Sequence, residues 1–443
     1  MQILEKLEKL LEKRHVLLTG GAGVGKSYLT KELIAKQKSQ GKQVVVLGST
    51  GVSAVNIDGQ TIHSFFVFGI SDSLEELKRH DKFTKQRIKE LQKLLESTDL
   101  LIIDEISMVS ANLLDMILHR LRNSSFSGSI LFVGDFFQLP PIVKTNAQNS
   151  LFNATRFAFQ SSAWHYFDPL ITQLSITKRT QDQKFFGILH KIRMGICDAS
   201  VVEYLQNLQE NHQVKEKNPT ILYGTNKQAE LKNLERLEAL SEPKITLNAK
   251  EKIHLQSLSS ARITSWKNAL PIPSELVLKK GAIVLFCTNK WGSYYNGERG
   301  VIESIDEECI HVQKENAQII KVERTEYTLS ENMLLNGEII DLPLCSLEQF
   351  PIKLAYAITI HKSQGMSIDP LLCNIDRIFE TSQFYVAISR ASNPQNLMLE
   401  YAGDKEAFTR QISRVIKVCK EVENFYENAD MIDLESNLQA TLF

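Results

Sequence analysis

The sequence predicts an α/β protein in which parallel sheets are flanked by helices, with a small β-barrel inserted in the second half. Three observations carry that expectation. In the first half, short apolar runs alternate with amphipathic stretches: His15–Thr19, Gln43–Leu47, Asp99–Ile103 and Ser129–Val133. Continuous apolar runs suit strands buried on both faces, and the helical stretches between them supply the crossovers that parallel strands require. A second αβ texture begins near Leu170, includes a strand at Thr220–Gly224, and resumes after Pro351 to end in helical segments. Between Glu275 and Leu344 short strands take over, punctuated by Asn296-Gly297 and Asn336-Gly337. Asn-Gly accepts the positive φ angles of a tight hairpin turn, so this stretch reads as antiparallel.

Bulk properties bound the rest. A chain of 443 residues, 43% hydrophobic and 23% charged, exceeds the ~250–300 residues at which a single core stops growing. No apolar stretch approaches the ~20 residues that a membrane-spanning helix needs. The opening Met1-Gln2-Ile3-Leu4-Glu5-Lys6 has mixed charge and shows no secretory pattern. Six cysteines (Cys197, Cys287, Cys309, Cys345, Cys373 and Cys419) lie far apart without metal-ligand spacing, so reduced thiols in the cytoplasm are expected. A net charge of −1 neither marks nor excludes a nucleic-acid binder, because local segregation counts for more than the sum. Between Leu77 and Lys93, the cations Lys78, Arg79, Lys82, Lys85, Arg87, Lys89 and Lys93 outnumber Asp81 and Glu90. A solvated helix face and a DNA-facing one are the two readings of that bias.

The run Gly20-Gly21-Ala22-Gly23-Val24-Gly25-Lys26-Ser27 fits G-x-x-x-x-G-K-S, with an apolar strand before it and a helix-like segment from Tyr28 after it. Glycines let backbone N–H groups curl around phosphate oxygens without side-chain clash. Lys26 is placed to neutralise the β- and γ-phosphates of ATP, and Ser27 to ligate Mg²⁺. Nucleotide contacts are expected from Gly20 through Tyr28. Leu100-Leu101-Ile102-Ile103-Asp104-Glu105 then sets Asp104 at a strand's C-terminal edge as the second Mg²⁺ ligand, with Glu105 beside it to polarise the attacking water. After another apolar strand comes Gly134-Asp135-Phe136-Phe137-Gln138-Leu139-Pro140-Pro141. A glutamine at that strand end can hydrogen-bond a γ-phosphate and report its loss.

From Asp104 through Ile142 the chain resembles superfamily I helicases of the petite-integration-frequency (Pif) branch, with RecD-like enzymes nearer cousins than UvrD-like ones. Phe126-Ser127-Gly128 departs from the Phe-Gly-Gly that many members carry. Further matches follow. Ser49–Ala54 and Gly59–Phe65 resemble the family's DNA-contacting segments, which implies DNA roles for Thr50, Gly51, His63 and Phe65. Arg179 stands where the family has an arginine that reaches the γ-phosphate, and Arg390, closing Gln383–Ala391, where it has a second. Thr225-Asn226-Lys227 and, after a strand expected at Leu354–Thr359, His361-Lys362-Ser363-Gln364-Gly365 resemble a short motif and the coupling motif. They imply DNA contacts by Asn226, His361 and Lys362, and nucleotide contacts by Gln364 and Gly365. Gln2 lies near the place of an adenine-reading glutamine.

The resemblance implies two RecA-like P-loop NTPase domains. Residues 1–170 form the first, with an insertion at 66–98; residues 171–274 and 346–430 form the second; residues 275–345 are the inserted β-barrel and 431–443 a tail. The implied activity is an ATP-dependent DNA helicase that moves five-prime to three-prime on single-stranded DNA and unwinds duplex or structured DNA, with Lys26, Asp104, Glu105, Gln138, Arg179 and Arg390 catalytic. An arginine presented from the other domain means that ATP closes a cleft and hydrolysis reopens it. Expected partners are single-stranded DNA and DNA junctions, with no membrane. A monomer located at the nucleoid is expected, with a DNA-induced dimer as the alternative. The family works in replication, repair, recombination and telomere maintenance and on G-quadruplexes. Gln439-Ala440-Thr441-Leu442-Phe443 resembles the pentapeptide by which bacterial replication proteins bind the sliding clamp; a tail docked on its own domain is the other reading. Alternatives for the activity are a RecD-like helicase of recombination and repair, a non-translocating DNA-stimulated ATPase, and a single-strand binder without catalysis. Among the aromatics of the insert, Trp291, Tyr294 and Tyr295 either stack on bases or pack the barrel.

Overall fold

The computed structural model describes residues 2–50, 53–54, 57, 59–69, 71–141, 156–177, 182–255, 258–290, 292–335 and 338–436. The chain forms two compact units. Unit 1 comprises Met1–Lys178, Ser330–Pro343 and Lys420–Phe443; unit 2 comprises Arg179–Leu329 and Leu344–Cys419.

Unit 1 is built on a parallel sheet. Its strands in chain order are β1 (Val16–Thr19), β2 (Val44–Gly48), β3 (Gln60–Thr61), β4 (Leu100–Asp104), β5 (Ser129–Val133) and β6 (Leu170–Gln173). The spatial order is β6-β1-β5-β4-β2-β3, with Met431–Asp433 added parallel to β6 at the outer edge. The expected apolar runs are these strands, and β1, β2 and β4 are buried along their full length, as a sheet covered on both faces requires. Helix α1 (Gln2–Leu11) is amphipathic and buries Leu7 and Leu11. Helix α2 (Lys26–Ser39) buries Leu29 and Leu33 in the same cluster as Val16, Leu18, Ile102 and Leu131. Burying a Leu side chain contributes about 1.5–3 kcal/mol, so this cluster holds the strand ends in register.

The insertion forms the helices Leu74–Asp81 and Lys85–Glu96, which bury Leu77, Leu91, Leu94 and Leu95. Arg120 clamps it: its guanidinium pairs with both Asp81 carboxylate oxygens at 2.7 Å and donates to the carbonyls of Phe66 and Val67. Lys78, Arg79, Lys82, Lys85, Lys89 and Lys93 stand exposed, whereas Arg87 is paired with Glu331.

Unit 2 contains a four-stranded parallel sheet in the order Ala357–Thr359, Thr220–Tyr223, Leu371–Asn374, Leu397–Glu400. The expected barrel region is antiparallel. It forms a five-stranded sheet in the order Ile319–Glu323, Cys309–Lys314, Arg299–Ile305, Ile283–Phe286, Ile352–Leu354. Val284, Phe286, Ile302, Ile310, Val312 and Val322 share its core. At the Asn296-Gly297 turn, Gly297 has φ 93° and a Cβ there would lie 2.4 Å from the Ser367 carbonyl oxygen. Tyr294 stacks on Phe286 at 4.2 Å and is packing, while Tyr295 is exposed; Trp291 lies outside the described residues.

Three expectations need correction. The single strand expected at Leu354–Thr359 is broken: Ile352–Leu354 ends in the antiparallel sheet, whereas Ala357–Thr359 joins the parallel one. Tyr356 lies at the break, its hydroxyl accepting the Ile283 N–H. The insert does not stop at 345, because its last strand is Ile352–Leu354, and residues Ser330–Pro343 belong to unit 1. Nor does the second domain run to 430 with a loose tail beyond. Lys420–Glu427 is a helix of unit 1, and Met431–Asp433 is a strand of its sheet. A segment of mixed polarity can add to a sheet edge through its backbone alone, and side-chain patterns do not register that.

Candidate nucleotide site and nucleic-acid segments

The C-terminal ends of β1, β4 and β5 meet at one edge of the unit 1 sheet, the edge where open α/β sheets bind ligands. Beyond β1 the chain turns through Gly20, Gly23 and Gly25 at φ 143°, 78° and 96°, angles that L side chains resist. A Cβ on Gly20 would lie 2.4 Å from the Leu174 carbonyl oxygen. Gly25 is the residue before α2 and has no side-chain cap, so the first N–H groups of α2 stay available to an anion. Lys26 Nζ donates to the carbonyls of Gly20 and Gly21 at 2.7 and 2.9 Å, which sets its ammonium over the loop. Tyr28 is exposed on the first turn of α2.

Asp104 ends β4 and is buried. Burial, and then the adjacent Glu105 carboxylate, push its pKa up to about 7, against the pull of a backbone hydrogen bond and of Lys26 and Lys31. A carboxylate held so far above its ordinary range favours a bound cation. With the Ser27 hydroxyl it offers hard oxygen donors, the set that suits Mg²⁺. Glu105 itself sits in the left-handed region at φ 53°, ψ 50°; such a conformation costs a non-glycine residue of order 1–3 kcal/mol and persists where the surroundings over-determine it. Gly134 makes room for it: a Cβ there would lie 2.9 Å from the Ile106 nitrogen.

Beyond β5, the Gly134 N–H donates to the Leu18 carbonyl at 3.1 Å, which laces this loop to β1. Asp135 is fully buried, and its Oδ1 accepts the Phe137 N–H. The Gln138 N–H donates to the Asp135 carbonyl at 2.8 Å, and the Gln138 side chain is buried. The structure therefore brings Lys26, Asp104, Glu105 and Gln138 to one sheet edge in unit 1. Arg179 lies outside the described residues.

Among the DNA-contacting expectations in unit 1, Thr50 is bonded to Ser53 through hydroxyl and backbone alike, and Gly51 lies outside the described residues. His63 is half-buried and meets Phe68 edge-on at 6.0 Å; burial lowers its pKa, with Asp72 opposing. Phe65 is 5% exposed and edge-to-face with Phe66 at 4.9 Å. Its ring belongs to a packed cluster, which argues against the DNA role implied for it. Gln2 is exposed at the start of α1.

In unit 2, Arg390 follows the helix Gln383–Ile388 and is 2% exposed. Its Nε donates to the Val386 carbonyl and its Nη2 to the Ser389 hydroxyl, both at 2.9 Å. The residues His361–Ser363 form a single 3₁₀ turn after the strand Ala357–Thr359. Burial lowers the His361 pKa, with Glu380 opposing. Lys362 is exposed, Gln364 is half-buried, and Gly365 follows at φ 78°. Asn226 is exposed on the first turn of the helix Asn226–Glu238.

Sequence reasoning missed Asp135 as the buried brace of the Gln138 loop, although it stood inside a recognised motif. It also missed Tyr426, whose hydroxyl lies 2.8 Å from that of Thr19 across 407 residues of sequence. No local pattern announces such a contact.

Residues 2–203 match the model of the PIF1-like helicase family, and residues 312–424 match a second helicase model. The chain is 43% identical over 441 residues to the ATP-dependent DNA helicase Pif1 of Campylobacter jejuni, covering 97% of this chain and 98% of that one. It is 32% identical to the human ATP-dependent DNA helicase PIF1 over 88% of this chain and 59% of the human one. The fold is similar to that of Bacteroides sp. Pif1 in complex with ADP-AlF4, with TM-score 0.81 and 28% identity over 96% of each chain. For the same protein bound to single-stranded DNA, the TM-score is 0.64 at 28% identity over 96% of each chain. With a glycine-built phosphate loop, a buried aspartate and a glutamine loop at one sheet edge, and the Campylobacter relative matched nearly end to end, the chain belongs to the PIF1-like helicase family.

Proposed function

We propose that this protein is an ATP-dependent DNA helicase that moves five-prime to three-prime on single-stranded DNA and separates duplex or structured DNA. The observation that carries the reading is the convergence of the Gly20–Ser27 loop, Asp104, Glu105 and Gln138 at one edge of the unit 1 sheet. The Campylobacter relative is named for this activity, and the Bacteroides one has been crystallised with single-stranded DNA.

The residue roles follow from chemistry. Backbone N–H groups of the loop and the start of α2 hold the phosphates, and Lys26 turns its ammonium from the Gly20 and Gly21 carbonyls to the β- and γ-phosphate oxygens. Ser27 and Asp104 would hold Mg²⁺, which would supply charge neutralisation on the phosphate oxygens. Glu105 orients and deprotonates the attacking water, its side chain aimed by the left-handed backbone. Gln138 hydrogen-bonds the γ-phosphate or the water. Arg179 and Arg390 neutralise charge on the transferred phosphoryl group, an effect worth about 10³-fold or more in rate. Gln364 and Gly365 couple the nucleotide to DNA. Thr50, Gly51, His63, Asn226, His361 and Lys362 contact the strand, and the exposed lysines of residues 78–93 lie along a face suited to its phosphates.

No helix among the described residues is long and apolar enough to cross a membrane, and association with the nucleoid follows from DNA binding. Gln439–Phe443, outside the described residues, are read as a sliding-clamp ligand; a pull-down in which their deletion leaves clamp binding unchanged ends that reading. The enzyme acts as a monomer on a single strand.

Strand separation on duplexes carrying a five-prime or a three-prime single-stranded tail tests the activity and its direction together. Unwinding of the five-prime-tailed duplex alone is expected. DNA-stimulated ATP hydrolysis without strand separation from either substrate would leave the non-translocating ATPase in its place.

A further inference from the structure

We infer that Tyr426 is a positioning residue for ATP hydrolysis, its hydroxyl bridging the strand that enters the phosphate loop and the loop that carries Gln138. The inference rests on the role proposed for Gln138 above. Where the chain returns to unit 1, the helix Lys420–Glu427 lays two aromatic residues against the sheet end. Phe425 stacks on Phe159 at 4.5 Å and meets Phe136 and Trp164 edge-on. Tyr426 stacks on Phe137 at 4.8 Å with the rings 12° apart.

The Tyr426 hydroxyl sits 2.8 Å from Thr19 Oγ1 and accepts the Phe136 N–H at 3.2 Å. Thr19 is the last residue of β1, and Gly20 opens the phosphate loop directly after it. Phe136 stands two residues before Gln138. Thr19 and Phe136 are each 1% exposed, so the bridge lies where water does not compete and where a hydrogen bond carries most directional force. Apolar stacking alone would hold the helix in place and would be met by phenylalanine. Beside the Gly134–Leu18 backbone bond, the hydroxyl adds a side-chain link between two loops that must keep their spacing while one holds phosphate and the other answers to its loss.

The same segment braces a third strand end. The Glu435 carboxylate accepts the N–H groups of Ser175 and Ile176 at 2.8 and 2.7 Å, just beyond β6, and Lys6 Nζ donates to the Leu434 carbonyl at 3.1 Å. Lys420–Glu435 is thus a strap across the ends of β1, β5 and β6, with Tyr426 its polar contact to the two loops.

Tyr426→Phe keeps the ring and removes the bridge. Steady-state ATP hydrolysis at saturating single-stranded DNA is expected to lose about tenfold in kcat, with KM for ATP unchanged within about twofold, because small misplacements of reacting groups cost rate before ground-state binding. Thr19→Val leaves the Phe136 N–H bond in place and should give a fall no larger than that of Tyr426→Phe, and the double variant should fall no further than Tyr426→Phe alone, since both break the same bridge. Each change leaves a buried polar group unpaired, so the melting temperature should fall by about a few degrees, and kcat measured well below it should still be lost. Full kcat in Tyr426→Phe, a change confined to KM, additive losses, or a fall that tracks melting temperature would each overturn the inference. Gln138→Ala separates the two readings. If it retains full kcat while the Tyr426–Thr19 pair behaves as expected, the Gln138 role fails and the bridge stands.

Discussion

The parallel sheet of unit 1 ends in glycines at φ 143°, 78° and 96° and in a buried carboxylate, whereas that of unit 2 ends in a single 3₁₀ turn with a half-buried histidine, and its unit carries a buried arginine. Both sheets show the same strand physics: apolar runs, parallel pairing and helical crossovers. What differs is the chemistry at the strand ends. Unit 1 offers N–H groups, an ammonium and hard oxygen donors, so it can hold a nucleotide and a divalent cation. Unit 2 offers guanidinium, imidazole and amide groups, which answer to phosphate charge and to a nucleic acid. Sheet architecture is shared; function resides in the loops beyond the strands.

Single substitutions can break that division. Lys26→Ala should bring turnover to background while single-stranded DNA binding, measured by fluorescence anisotropy, stays within about threefold, since no nucleotide phosphate contact is needed for the strand. Persisting turnover would mean that the unit 1 loop is not the catalytic one. Arg390→Lys in unit 2 should lower kcat about 10³-fold with KM for ATP little altered, because an ammonium cannot reproduce a guanidinium's planar fork. A fully active lysine variant would reduce Arg390 to the buried structural partner of Val386 and Ser389.

Smaller effects sharpen the comparison. Gly25→Ala and Gly281→Ala both place a side chain at positive φ, 96° in unit 1 and 79° in unit 2, at a cost of about 1–2 kcal/mol each. Both should lower the thermal midpoint by a few degrees, and only Gly25→Ala should raise KM for ATP. Equal effects on KM would erase the distinction between the two units.

A pH dependence separates the units further. In the folded state Asp104 is pushed from 3.8 to about 7 by burial and by Glu105, so the folded protein holds this proton more tightly than the unfolded chain does. The group's contribution to stability therefore falls as pH rises between about 4 and about 7 and is level above. Thermal melts without nucleotide should show Asp104→Asn gaining on the wild type across that window. A gap that does not change with pH would place Asp104 in a solvated setting unsuited to holding Mg²⁺.

The parts legible in the sequence were those written locally. Gly20–Ser27, the carboxylate pair after Leu100–Ile103, and the run Gly134–Pro141 each combine an apolar strand with a loop whose residue types have one good use. The break at Ala355-Tyr356 was not legible, because Leu354–Ile358 carries no charge and is mostly apolar, so either sheet would bury it. The DNA role implied for Phe65 comes from its place at the end of a recognisable motif, yet Phe66 and Phe68 beside it make a cluster that buries it. The second domain's limit was misplaced for a related reason. Lys420–Glu427 has the amphipathic pattern of any surface helix, and periodicity does not name the surface it meets.

By itself the sequence determined the strand and helix types, the phosphate loop, the carboxylate pair at the end of β4 and the family, since each depends on residues close together along the chain. Only the tertiary structure decided which strand ends share an edge, that Glu105 is held in a left-handed conformation against Gly134, and that the chain's last helix returns to unit 1. It alone set the Tyr426 hydroxyl between Thr19 and Phe136. Contacts spanning some 400 residues form because buried polar groups must find partners and aromatic faces must be covered. Which partner each finds is settled only when the whole chain has folded.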